Sequence, residues 1–147
     1  MSVAGVGLRF AERLEGSVRL GASPTERPMR LTLRGIASAI EFFAGAPVVL
    51  TGEIVAPSLG LDTEVRGRLR FLRASRELDY TIEAAGAEQT TELIGKKRGL
   101  LSDPYAGLTT LPLVVRRGGA VHGHALLRFD ARSGLFAGIP RLTFAWA

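Results

Sequence analysis

The sequence predicts an all-β fold over 1–147, an antiparallel and lipocalin-like barrel, closed or nearly closed, with about eight to ten strands and one short helix. Three observations carry this reading. Apolar and polar residues alternate with a period of two along most of the chain. The breaks between alternating runs are of hairpin length and contain no βαβ unit. Glycine recurs at inner positions of separate runs (Gly16, Gly52, Gly67, Gly95 and Gly123), as strongly coiled barrel strands require.

The first run is the longest. Val6, Leu8, Phe10, Glu12, Leu14, Gly16, Val18 and Leu20 fall on one face, and Arg9, Ala11, Arg13, Glu15, Ser17 and Arg19 on the other. That pattern is one continuous strand, apolar inside and charged outside. Residues 21–28 are loop by composition, and Met29, Leu31 and Leu33 then alternate with Arg30, Thr32 and Arg34 in a second strand. From Ile36 to Gly45 the alternation is lost. Ile36, Ala39, Ile40 and Phe43 recur at helical spacing, which predicts a short helix or a turn of one. A third strand follows, with Val48, Leu50, Gly52 and Ile54 inward, and it ends at Pro57-Ser58-Leu59-Gly60.

The next three strands form a meander in which Val65 to Phe71, Leu78 to Ala84 and Thr91 to Lys97 each alternate. Pairing Leu69 with Leu78 sets Arg70 opposite Glu77 and Arg68 opposite Asp79, a favourable charge match. Pairing Ile82 with Leu93 sets Gly95 opposite Tyr80, with Gly67 facing Tyr80 from the other side. The ring would then cover glycines on both neighbouring strands. Leu111, Leu113 and Val115 lead to a turn at Arg117-Gly118-Gly119, and Val121, Gly123, Ala125, Leu127 and Phe129 return from it. A last short strand contains Leu142, Phe144 and Trp146.

The 147 residues are enough to bury a core, and the absence of cysteine removes disulfide and thiolate chemistry. The N-terminus has no signal-peptide pattern, and the most apolar stretch, 36–50, is broken by Glu41, Gly45 and Pro47, so no transmembrane segment is expected and the location read is cytoplasmic. A net charge of +5 and a pI near 10.7 raise nucleic acid as a partner. The arginines (Arg9, Arg13, Arg19, Arg30, Arg34, Arg66, Arg68, Arg70 and Arg128) are instead spread singly over separate strands among glutamates, which reads as a solvated outer surface and no specific nucleic-acid site.

Two inward charges stand out. Glu12 lies inside by the parity of Phe10 and Leu14, and Lys97 by the parity of Leu93 and Gly95. A buried charge without a partner is costly, so each needs a counter-charge, water or a ligand. The two either pair with each other, or Lys97 reaches solvent at a strand end, or both line a cavity and orient a ligand. Tyr80, also inward, adds a hydroxyl to the same lumen. His122 and His124 share the outer face of one strand, but no third histidine exists, and Asp103 or Asp130 would have to complete a site, so no metal is expected. No phosphate-binding glycine loop occurs, Gly99-Leu100-Leu101-Ser102 is no nucleophile elbow, and no catalytic motif or cofactor signature is recognisable.

Phe10-x-Glu12-x-Leu14-x-Gly16, Gly52-x-Ile54-x-x-Pro57-x-Leu59-Gly60, Tyr80, Leu93-x-Gly95-x-Lys97 and Thr109-Thr110-Leu111 occur in this order. Together they resemble the small all-β accessory domain associated with bacterial cholesterol-oxidase-like GMC oxidoreductases and lipid hydrolases. Leu14 takes the place of an expected methionine and Thr91 that of an aromatic residue. The flavin-binding and hydrolase parts of those proteins are not in this sequence, so the resemblance carries no oxidoreductase activity. It implies a lipid- or sterol-related context, and it singles out Glu12 and Lys97.

The leading expectation is a barrel whose lumen binds an apolar small molecule such as a lipid, sterol or polyketide. Phe10, Leu14, Leu69, Tyr80, Ile82, Leu93 and Phe129 would form its wall, and Glu12 and Lys97 its polar anchor. One alternative is an isomerase or cyclase on the same barrel, with Glu12 as acid/base, Lys97 holding an oxygen and Tyr80 as a further candidate. Another is a non-catalytic protein-interaction domain, and a homodimer stays open. A cavity of roughly 300 Å3 or more favours the first two. A filled lumen with Glu12 bonded to Lys97 favours the third.

Overall fold

A computed structural model describes residues 6–86, 89–98, 109–129 and 141–146, with Val6 and Arg141–Trp146 described as backbone. In chain order the elements are β1 (Val6–Leu20), β2 (Arg27–Ser38), α1 (Ala39–Phe43), β3 (Val48–Ala56), a 3-10 turn η1 (Pro57–Leu59), β4 (Leu61–Leu72), β5 (Glu77–Ala85), β6 (Thr90–Lys97), β7 (Thr110–Arg117), β8 (Ala120–Phe129) and β9 (Arg141–Trp146). Consecutive strands from β1 to β8 pair antiparallel, and β1 also pairs with β8. The result is a closed eight-stranded antiparallel barrel. Among the described residues no helix is long and apolar enough to cross a membrane.

The ninth strand extends the wall. β8 pairs with the second half of β1, from Leu20↔Gly123 to Leu14↔Phe129, and β9 pairs with the first half, from Ala11↔Arg141 to Val6↔Trp146. β8 and β9 therefore follow one another along the same edge of β1, and the seam between them falls at Glu12 and Arg13. Both residues keep their pairing with Leu33 and Thr32 of β2. The fifteen-residue length of β1 is what lets it serve both.

The inner face is the apolar set the alternation marks. Leu8, Leu14, Val18, Leu31, Ile54, Ile82, Leu93, Leu111, Val115 and Leu127 are wholly buried, and Arg9, Arg13 and Arg19 are exposed on the outside of β1. The inner glycines sit where neighbouring strands come closest. A Cβ on Gly52 would enter the carbonyl oxygen of Thr32 on β2, and one on Gly95 that of Pro112 on β7. Only glycine lets the wall bend that sharply.

Three expectations are corrected. The β4–β5 register is Leu69↔Tyr80 and not Leu69↔Leu78, so Arg70 faces Asp79, Arg66 faces Glu83, and Gly67 faces Ile82 instead of Tyr80. The β5–β6 register is as expected, with Tyr80↔Gly95 and Ile82↔Leu93. The cause of the first shift is the turn. The expected register needs a two-residue loop of Arg73 and Ala74, a type of loop that favours positive φ and therefore Asn or Gly. The chain instead makes a four-residue turn, 73–76, with Arg76 at φ 54°.

The second correction concerns 36–45. β2 runs on through Ile36 to Ser38, whose hydroxyl then accepts from the Glu41 N–H at the start of α1. The helix buries Phe42, while Ile40 and Phe43 stay 64% and 47% exposed. Phe42 packs against Phe10 and Phe71, at centroid distances of 5.1 and 5.8 Å, and so caps that end of the barrel. The third concerns Val121, which is 60% exposed instead of inward. The β7–β8 register slips between Val115↔Gly123 and Arg116↔Val121, leaving His122 as the extra residue of a bulge that breaks the parity.

Candidate functional site

Glu12, Tyr80 and Lys97 meet inside the barrel. Glu12 projects inward from the middle of β1, Tyr80 from β5, and Lys97 from the last position of β6. Each has the inward parity of its apolar neighbours, so closing the wall forces the three side chains into one low-dielectric space. Lys97 is fully buried, and Glu12 and Tyr80 retain 7% and 1% exposure.

The carboxylate is bonded at both oxygens. The Lys97 ammonium donates to Oε1 at 2.9 Å and to Oε2 at 3.0 Å, and the Tyr80 hydroxyl donates to Oε1 at 2.8 Å. Lys97 Nζ also lies 5.2 Å from the centre of the Tyr80 ring, on the negative face of its quadrupole. The pair is thus neutral as a unit and its carboxylate is satisfied, the condition under which a buried ion pair is tolerated. Burial, with the nearby Glu12 charge and the hydrogen bond to it as further causes, pushes the Tyr80 phenol well above its ordinary range. Tyr80 is held as a proton donor.

That shift has a pH consequence. An unfolded tyrosine ionises from about pH 10 upward, whereas native Tyr80 stays protonated. The unfolded state then binds fewer protons than the native one, so the contribution of this group is complete below pH 10 and is lost as pH rises toward the raised native value. Denaturation curves from neutral to strongly alkaline pH should show wild-type stability falling above about pH 10, with part of that slope absent in Tyr80→Phe. At neutral pH the same change costs about 1.5–3 kcal/mol, the value of a hydrogen bond to a charged group. Equal alkaline slopes in the two proteins would mean that the phenol titrates freely.

All nine residues anticipated for the site point inward. Leu14, Leu69, Ile82 and Leu93 are packed with Tyr80 and Lys97 in the buried core, and Phe10 and Phe129 are 7% exposed near the α1 end. Leu14, Ile82 and Leu93 keep no accessible surface and Leu69 and Tyr80 keep 1%, so no water-sized space is left beside them. Among the described residues, concavities of about 550, 490 and 260 Å3 lie at the protein surface, and none of these is lined by Glu12, Tyr80 or Lys97. The largest is bordered by polar groups, among them the Arg34–Glu53 ion pair at 3.0 Å, Glu64, Arg66 and Glu83. His122 and His124 are exposed, and among the described residues no three metal-ligating side chains gather. Asp103, Asp130 and 99–102 lie outside the described residues.

One inward charge went unanticipated. Arg117 shares the parity of Leu113 and Val115, but the sequence reading assigns it to the Gly118-Gly119 turn. At the barrel end opposite α1 its guanidinium donates to the Thr91 hydroxyl at 2.8 Å and to the Leu59 carbonyl oxygen, tying β7 to β6 and η1. Extending the Leu111, Leu113, Val115 series by one step would have found it.

Comparison with known protein families, with curated proteins and with solved structures finds no match to this chain, so its site is read from its own geometry.

Proposed function

We propose that this chain is a non-catalytic interaction domain, a rigid barrel that works through its outer surface, with Glu12, Tyr80 and Lys97 as an internal clamp. The observation that carries this reading is that the clamp closes on itself inside the core: both Glu12 oxygens are bonded to Lys97 or Tyr80, and the apolar residues around them are buried in one cluster. A general base must reach its substrate, and a ligand anchor must face open space. Three of the roughly four acceptor sites of the Glu12 carboxylate are taken by Lys97 and Tyr80, and the residue is only 7% exposed. The clamp instead joins β1, β5 and β6 across the barrel and fixes which side chains lie inside.

A second reading has one observation in its favour. Glu12, Phe10 and Phe129 keep 7% exposure and Leu78 9%, in contrast to the wholly buried residues of the same core. An apolar lipid, sterol or polyketide entering beside the seam would meet the Glu12–Lys97 anchor first, and an isomerase or cyclase would need the same entrance. The lipid- or sterol-related context implied by the resemblance belongs with this reading.

Titration with cis-parinaric acid, a fluorescent apolar fatty acid, separates the two. The interaction-domain reading expects no one-to-one complex that depends on the clamp. Saturable one-to-one binding that is lost in a folded Glu12→Gln/Lys97→Met double variant would replace it with the small-molecule reading.

A further inference from the structure

The α1 end carries an apolar patch that the core does not use. Ile36 is 72% exposed, Val49 68%, Ile40 64% and Phe43 47%. The fold gathers them. Continuing the β2–β3 register two residues beyond Arg34↔Thr51 sets Ile36 opposite Val49 on the outer wall. Ile40 follows on α1, which opens directly after β2, and the Phe43 ring stands edge-on to Phe71 of β4 at 5.7 Å. Large exposed apolar side chains scattered singly need no explanation, but a contiguous group of them marks a contact surface.

Arginines surround the patch. Arg9 is the ladder partner of Ile36, and Arg68 that of Val49. Arg70 reaches back to the Gly45 carbonyl oxygen behind α1, at 3.4 Å, and Arg73 and Arg76 occupy the turn that follows β4. All five are exposed. Among the described residues, the acidic groups on this side are Glu41 on α1, Asp79 opposite Arg70, and Glu77, which Lys96 and Arg98 hold at 4.0 and 3.1 Å. The balance of these described groups around the apolar centre is positive.

We infer that this end of the barrel docks on an anionic lipid bilayer, inserting Ile36, Ile40, Phe43 and Val49 at the headgroup boundary while Arg9, Arg68, Arg70, Arg73 and Arg76 meet lipid phosphates. The inference rests on the outer-surface reading and names its partner. Apolar side chains ringed by arginine match the layered chemistry of such a bilayer, with anionic headgroups outside and acyl chains beneath. Shape agrees, since Ile36 and Val49 lie on the convex outer wall and α1 carries Ile40 and Phe43 beside them at the barrel end, so a broad surface fits them better than a slender peptide. A second copy of the chain, docked patch to patch, would set arginine against arginine.

Sedimentation with vesicles tests this. The protein is spun with phosphatidylcholine vesicles and with phosphatidylcholine vesicles containing phosphatidylglycerol, at low and at high salt. Binding should require phosphatidylglycerol and weaken as salt shortens the screening length. Ile36→Ser/Ile40→Ser, at the two most exposed of the strand and helix positions, should retain the wild-type melting curve and bind at least tenfold more weakly. Arg68→Ser/Arg73→Ser should lose roughly fivefold per arginine. Absence of vesicle binding, equal binding to both vesicle types, or undiminished binding by the folded Ile36→Ser/Ile40→Ser variant would each overturn the proposal. So would light scattering that shows a wild-type dimer split by the same substitutions, because a second copy would then own the patch. Failure here leaves the interaction-domain reading intact, since that reading falls only if cis-parinaric acid occupies the lumen.

Discussion

Replacing Lys97 by methionine should lower the stability of the barrel by about 3–5 kcal/mol, the cost of breaking a buried ion pair from one side. The substitution keeps the length of the side chain, so packing changes little and the loss is electrostatic. Glu12 would remain buried with only the Tyr80 hydroxyl, and uptake of a proton would relieve part of the penalty. Adding Glu12→Gln should recover much of the loss, because the amide is neutral and its oxygen can still accept from Tyr80. The pair itself need not stabilise the fold relative to neutral residues of the same shape. Denaturant titrations of both singles and the double measure this directly. If all three variants unfold with the wild type, water reaches both charges and the clamp does not operate in solution.

Leu93→Ala should cost about 2–5 kcal/mol, as expected where a wholly buried leucine is truncated in a packed core. Leu93 is 0% exposed and sits between Ile82 of β5 and Val115 of β7 on the inner wall. The size of the effect bears on the state of the lumen. In a lumen already open to ligand, the truncation would enlarge an existing space and cost much less. In a filled one it creates a hole bounded by aliphatic side chains, which stays dry and accepts small apolar molecules. The variant should therefore gain stability in the presence of a small hydrocarbon while the wild type does not. A loss below roughly 1 kcal/mol would indicate a loosely filled barrel.

The parity of side chains was legible because inside and outside differ so sharply here. Arg9, Arg13 and Arg19 against Leu8, Leu14 and Val18 leave no doubt about the faces of β1, and the same rule puts Glu12 and Lys97 inside. What parity cannot supply is register. A shift of two residues preserves every face, so Leu69↔Leu78 and Leu69↔Tyr80 are equally consistent with the alternation, and the turn at 73–76 decides between them. Parity also fails at a bulge, which is why Val121 was misplaced, and at a strand that continues where the pattern suggests a helix, as at Ile36. The Tyr80–Glu12 bond was out of reach for a further reason. It joins residues on non-adjacent strands across the lumen, and only the closed curvature of the wall sets that distance. The arginine-ringed patch has the same origin, since Arg9, Ile36, Val49 and Arg68 belong to four different strands.

The seam in the wall also fixes an order in time. β1 is the first strand of the barrel to be made, yet its second half finds β8 only when Gly123 to Phe129 arrive opposite Leu20 to Leu14. Its neighbour β2 is available almost at once, so a β1–β2 hairpin can form early while the other edge of β1 waits for roughly a hundred residues. At ribosomal speed that wait is on the order of ten seconds. Throughout it, a long strand edge and the apolar faces of a growing open sheet are bare, the condition in which nascent sheets pair with the wrong partner. Closure comes from contacts roughly a hundred residues or more apart in sequence, so the barrel should be slow to assemble, and a cell that makes it quickly would need a chaperone to shield that edge.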